Sequence, residues 1–196
     1  MEFTQKQNTQ IVATLLLLTV ASQAIYTAMY QYASDVPRQW LWGIEALLFV
    51  LLAAVAGSAL AQVKSLTLGF SAIFASAILN LIQVGVGLTQ FGAFREAAQA
   101  VEGMAPAAGG IFALSFFVYN AAKCLLGIAA VVIGSAASKA GAKALGNITM
   151  LAGVVALATN AIVMMFGRMG SVPSGATGVV ATLLLALCLY KLQSED

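Results

Sequence analysis

The stretch IFALSFFVYNAAKCLLGIAAVVIGSAA, Ile111–Ala137, decides the fold. It carries one charge, Lys123, in an otherwise apolar and small-residue run. It is longer than the ~20 helical residues needed to cross ~30 Å of hydrocarbon. Five more stretches of this kind accompany it: Ile11–Ala33, Gln39–Val63, Leu66–Thr89, Ile148–Phe166 and the shorter Thr177–Tyr190, which Gly175–Gly178 can extend. The expected fold is therefore all-α. It is a polytopic integral membrane protein whose single transmembrane domain, residues 1–196, is a bundle of about six helices.

The composition of the whole chain agrees. Of 196 residues, 61% are hydrophobic and 8% charged, and mean hydropathy is +0.96. A soluble domain carries about 25% charged residues, so a soluble globular protein and a disordered chain are both excluded. A net charge of +2 is too small for a phosphate-seeking surface, and nucleic acid is excluded as a partner. The chain has no histidine, which removes histidine-ligated haem, histidine-containing zinc sites and histidine-based triads. Cys124 and Cys188 stand alone in separate apolar runs and read as small hydrophobes. No cofactor is expected.

Lysine and arginine set the orientation. Lys6, Lys64, Lys139, Lys143 and Lys191 fall on one side of the six spans, and Arg38, Arg95 and Arg168 on the other. Five cations against three favour both termini in the cytoplasm of a bacterial inner (plasma) membrane. Ser34-Asp35-Val36-Pro37 is a helix-start signal. Residues 91–110 are expected to form an outer loop with a short interfacial helix, Phe94–Val101, before Pro106 and Gly109-Gly110. Gly170–Gly178 reads as a turn-rich loop. A competing reading makes Lys6, Ile11–Ala21 and Ser22-Gln23-Ala24 a cleaved secretory signal, but the apolar run continues to Ala33, long enough to span. A two-helix repeat is also visible: Glu45-Ala46-Leu47-Leu48 resembles Lys123-Cys124-Leu125-Leu126. A chain so rich in Ala, Leu and Val produces such echoes by chance as well.

Two ionisable residues lie inside the spans. Glu45 sits about one turn beyond the interface anchors Trp40 and Trp42, while Lys123 falls mid-span. Each costs roughly 2.5–3.5 kcal/mol at a bilayer centre, so each asks for a role or a partner. A structural ion pair and a solute-coupling site are both open. In the third span Ser76, Asn80, Gln83, Gly87 and Gln90 recur at spacings of 4, 3, 4 and 3, which is one helical face. Thr19, Gln23, Tyr26 and Tyr30 do the same in the first span. Asn120, Lys123, Gly127, Ala130 and Gly134 do so in the fourth, and Gly146, Thr149, Gly153, Ala156 and Asn160 in the fifth. Lipid cannot satisfy amides, so these stripes point inward. Gly127, Gly134, Gly153 and Asn160 read as close-packing residues.

The residues expected to line a central polar cavity are Lys123, Glu45, Asn80, Gln83, Asn120, Tyr26, Gln23 and Gln90. Most aromatics, including Tyr26, Trp40, Trp42, Phe91, Phe112 and Tyr119, map to the outward half and suggest a vestibule or a docking surface. The functional expectation is a small channel or transporter for a small solute or ion. The alternative is a non-catalytic accessory or scaffold subunit of a larger membrane complex. Expected partners are membrane lipid and either further copies of the chain or other membrane subunits. No proline interrupts a span, which counts against alternating access. No nucleophile–base pair or metal set can be assembled, so an enzyme is the least favoured class.

Overall fold

A computed structural model describes residues 3–33, 36–167 and 172–193, the side chain of Gln193 excepted. It is all-helical over these residues: α1 Gln5–Tyr32, α2 Gln39–Gln62, α3 Thr67–Ala100, α4 Ala105–Lys139, α5 Lys143–Phe166 and α6 Ser174–Gln193. A single 3-10 turn, Lys64–Leu66, joins α2 to α3. All six helices are long and apolar enough to cross a membrane.

Local chemistry sets the helix ends. Thr4 opens α1 with a capping box, its hydroxyl accepting from the Gln7 backbone N–H while the Gln7 side chain accepts from the Thr4 N–H. The three prolines stand at helix starts: Pro106 lies in the first turn of α4, and Pro37 and Pro173 just precede α2 and α6. Proline there loses no helical hydrogen bond. The Ser34-Asp35 half of the helix-start signal, and Arg168, lie outside the described residues.

The structure corrects the expected outer loop. α3 runs unbroken through Phe94 to Ala100, and α4 begins at Ala105, so residues 101–104 alone connect them. Phe94–Val101 is the last part of a long helix, not a separate interfacial one. The reason is composition: Gln90–Ala100 is rich in Ala, Glu, Gln and Arg, which hold a helix with or without lipid. With 34 and 35 residues, α3 and α4 are each about 50 Å long, well beyond a ~30 Å hydrocarbon layer.

The helices pack in a closed order. α1 contacts α2 and α6, α2 contacts α3, α3 contacts α4, and α4 contacts α6, which closes a five-helix ring. α5 makes its substantial contacts with α4 and α6 only. The chain ends, near Gln5 and Gln193, lie at one end of the bundle, called here the terminal end. The opposite, distal end carries the starts of α2, α4 and α6. The centre of the terminal half is filled by buried apolar side chains: Val12 and Leu16, Leu52, Phe70 and Ile73, Ile133, Leu185 and Leu189. The outer surface is apolar too, with Leu47 68% exposed, Leu151 66% and Met165 67%. A water-facing surface rarely carries so much contiguous apolar area.

Candidate functional site

Polar side chains collect at the centre of the distal half. Lys123 on α4 is 3% exposed, and its Nζ donates to Gln23 Oε1 of α1 at 3.0 Å. The ammonium lies 5.2 Å from the ring centroid of Tyr119, one turn earlier on the same helix. Helical side chains lean toward their own N-terminus, which for α4 is the distal end, so Lys123 reaches away from the apolar plug. Its stem lies against α6, where a Cβ at Gly178 would stand 2.9 Å from Lys123 Cδ.

Glu45 of α2 faces the same centre and is 6% exposed. Its carboxyl group interacts with the Ser22 hydroxyl of α1 and with the Lys123 charge. The Glu45 and Lys123 charges do not approach within the 4.0 Å of a direct ion pair. The Ser22 hydroxyl is buried without a partner at full hydrogen-bonding geometry, so its contact with Glu45 is loose. A buried carboxyl group and a buried amine thus stand in one cluster without forming a direct ion pair.

Asn80 of α3 is another buried amide. It is 1% exposed, and its Nδ2 donates to the Ser76 carbonyl at 2.9 Å and to Ser76 Oγ at 3.2 Å. Its Oδ1 is buried with no donor. The amide cannot be turned round, because an amide oxygen would then face a carbonyl oxygen. Gln83 Nε2 donates to Ser115 Oγ at 3.4 Å, so α3 and α4 are bridged near this level.

An aromatic lid covers the distal side. The Tyr26 and Trp42 rings stack at 5.8 Å between centroids, Trp42 meets Phe91 edge-on at 5.7 Å, and Phe91 meets Phe112 at 4.5 Å. The four rings come from α1, α2, α3 and α4. Tyr26 and Trp42 lie about one turn distal of Gln23 and Glu45, and Phe91 and Phe112 stand further out than Asn80 and Tyr119. Trp42 lies over Gly87, where a Cβ would sit 3.1 Å from its Cζ3. The Arg38 guanidinium stacks on Tyr26 at 5.5 Å and on Tyr30 at 5.1 Å.

The eight expected site residues divide. Lys123, Gln23 and Glu45 form the central cluster, Tyr26 belongs to its lid, and Asn80 is buried on α3 against Ser76. Gln83 braces two helices. Gln90 is half-buried at the distal edge, where its Nε2 donates to Thr89 Oγ1 at 3.3 Å. Asn120 is buried on α4, where its Nδ2 donates to the Phe116 carbonyl at 2.6 Å. It stands in heptad register with Gly127 and Gly134, whose Cβ atoms would each lie 2.8 Å from an α5 carbonyl oxygen, of Gly153 and Gly146. Asn160 continues the α5 side of that register; its Nδ2 donates to the Ala156 carbonyl at 2.7 Å and the Ser174 carbonyl at 3.2 Å.

Sequence reasoning missed three contributors. Tyr119 precedes Lys123 by four residues, a spacing that places its ring beside the ammonium and was legible. Ser22 sits one position off the Thr19–Gln23–Tyr26 stripe, and only helix rotation shows that it meets α2. Gly178 gave no signal, since nothing in α6 announces that a lysine stem crosses it. No known protein family, curated protein or solved structure matches the chain, so its function is argued from its own residues.

Proposed function

We propose that the chain is a polytopic membrane protein with both termini on the cytoplasmic side, and that its distal polar cluster is the site of a small channel or transporter for a small solute or ion. One observation carries the reading. Lys123 is buried among helices and held by a glutamine of α1, in electrostatic contact with a glutamate of α2, although a lysine with only a structural task can snorkel to an interface. The filled terminal half argues for a site reached from the distal side through the lid, and against a pore open along its whole length. The cation count supports the orientation: Lys6, Lys64, Lys139, Lys143 and Lys191 belong to the terminal end, Arg38 and Arg95 to the distal end.

The alternative is an accessory subunit of a larger membrane complex. The outer face of α5 favours it: Ile148, Leu151, Val155, Ile162 and Met165 form an exposed apolar stripe suited to lipid or a partner helix. The test of transport is solute-driven reswelling of proteoliposomes, followed by light scattering with glycerol, glycine and potassium acetate. Lys123→Met is expected to slow entry of at least one solute that the unaltered protein admits. Equal rates for all three would overturn the reading.

A further inference from the structure

The proposed site leaves open which chemistry it recognises, and its unpaired groups narrow that question. At one side the Lys123 ammonium has three N–H donors. One goes to Gln23 Oε1, and the Tyr119 ring face takes charge without accepting a strong hydrogen bond. At the other side acceptors are in excess. Ser22 Oγ has no partner at full geometry, and the Glu45 carboxyl has only the loose contact of Ser22. A buried acceptor without a donor costs about 1–3 kcal/mol, so the cluster lacks a group that brings N–H or O–H bonds to the Glu45 side.

The charges add a second constraint. An isolated anionic solute would satisfy Lys123 but would stand near the Glu45 carboxylate. An isolated cation would satisfy Glu45 but would stand near the Lys123 ammonium. In a water-poor interior like-charge contacts are strongly unfavourable. The arrangement fits a solute that carries both charges and presents them oppositely. Such a solute enters the bundle with no net charge and meets an opposite charge at each end. The overlying faces of Tyr26 and Trp42 are also compatible with a passing ammonium.

We propose that the site takes a small zwitterion of the α-amino acid class, its carboxylate on Lys123 and its ammonium donating to Glu45 and Ser22. This rests on the solute-site reading above and names its substrate class. Gln23 then positions Lys123, and Gly178 gives the lysine stem its course.

The test is calorimetric titration of the purified full-length chain in detergent with glycine and L-alanine. Propionate and ethylammonium, which each lack one charge, and glycine betaine, which keeps both charges but has no N–H donors, are titrated in parallel. Saturable binding is expected for glycine or L-alanine, with the three analogues weaker by about a hundredfold or more, because each leaves buried groups of the site unpaired. Ser22→Ala removes the unpaired hydroxyl beside Glu45 without adding a charge, and it is expected to weaken binding about tenfold or more while the protein stays monodisperse. Gly178→Ala displaces the lysine stem and is expected to weaken binding in a chain whose melting is little altered. Both variants remain informative if Lys123→Met does not fold. Absence of binding by both amino acids overturns the proposal, and so does propionate, ethylammonium or betaine binding as tightly as L-alanine. If amino acids do not bind but Lys123→Met still slows the entry of another solute into proteoliposomes, the class fails and the site stands. If Lys123→Met alters neither, both fail.

Discussion

Lys123 shows what one residue can ask of a fold. A lysine in mid-span needs a partner, and the sequence offered Glu45 as the one acid inside the spans. The structure brings the two into electrostatic contact but places the ammonium on the Gln23 carbonyl oxygen at 3.0 Å, with Glu45 further off. Their coupling is a through-space term in a low dielectric, which is long-ranged compared with a hydrogen bond. Glu45→Gln leaves the Lys123 charge uncompensated, whereas the double change with Lys123→Met removes both charges. The single Glu45→Gln variant is therefore expected to lose more stability than the double variant, with an interaction energy of about 1 kcal/mol. Thermal melts in detergent measure it, and additive effects would show that the charges are not coupled. That Glu45 and Lys123 each need a partner or a role was legible from burial cost alone. The choice of Gln23 as the contacting group was not, because it depends on how far α1 is rotated and how deep it sits against α4.

At the scale of helices, the same small-residue stripes do two different things. The α4–α5 seam is a backbone contact: a Cβ at Gly146 would meet the Gly134 carbonyl oxygen and would stand 2.5 Å from the Ser138 backbone nitrogen. Neither neighbour can swing aside as a side chain could. Gly146→Ala is expected to lower stability by about 1–3 kcal/mol or more through overpacking. Gly43→Ala, on α2 with nothing within 4 Å of its Cβ, is expected to be neutral or slightly stabilising. Melting curves of the two variants check the contrast, and equal losses would refute the seam. The packing reading of Gly127, Gly134, Gly153 and Asn160 fits these contacts. Gly87 belongs to the other use, since it makes room for the Trp42 ring and so shapes the lid. Spacing could not separate the two uses, because a glycine stripe looks the same whether a helix backbone or an indole lies on it.

At the scale of the molecule, six antiparallel helices bring both chain ends to the terminal end. Cysteines placed singly near Lys6 and Lys191, in a chain whose Cys124 and Cys188 are replaced, are expected to be shielded from an impermeant thiol reagent in right-side-out cells. One near Arg95 is expected to be labelled. Labelling at either chain end without permeabilisation would overturn the orientation. The sequence alone determined the all-helical class, the number of helices and the inward faces of α3, α4 and α5. Apolar length and the cost of amides in lipid are one-dimensional properties, readable along the chain. It misjudged residues 91–110, because the end of an apolar run was read as the end of the helix, whereas Gln90–Ala100 is polar enough to leave the run and still helix-forming. The tertiary structure alone decided that α1, α2, α3, α4 and α6 close a ring with α5 set against α4 and α6. It also decided that Ser22, Gln23, Glu45 and Lys123 meet under one aromatic lid. Those outcomes depend on the relative rotation and depth of neighbouring helices. Rotation and depth are set by how side chains interlock across every interface at once, and no single stretch of sequence contains that information.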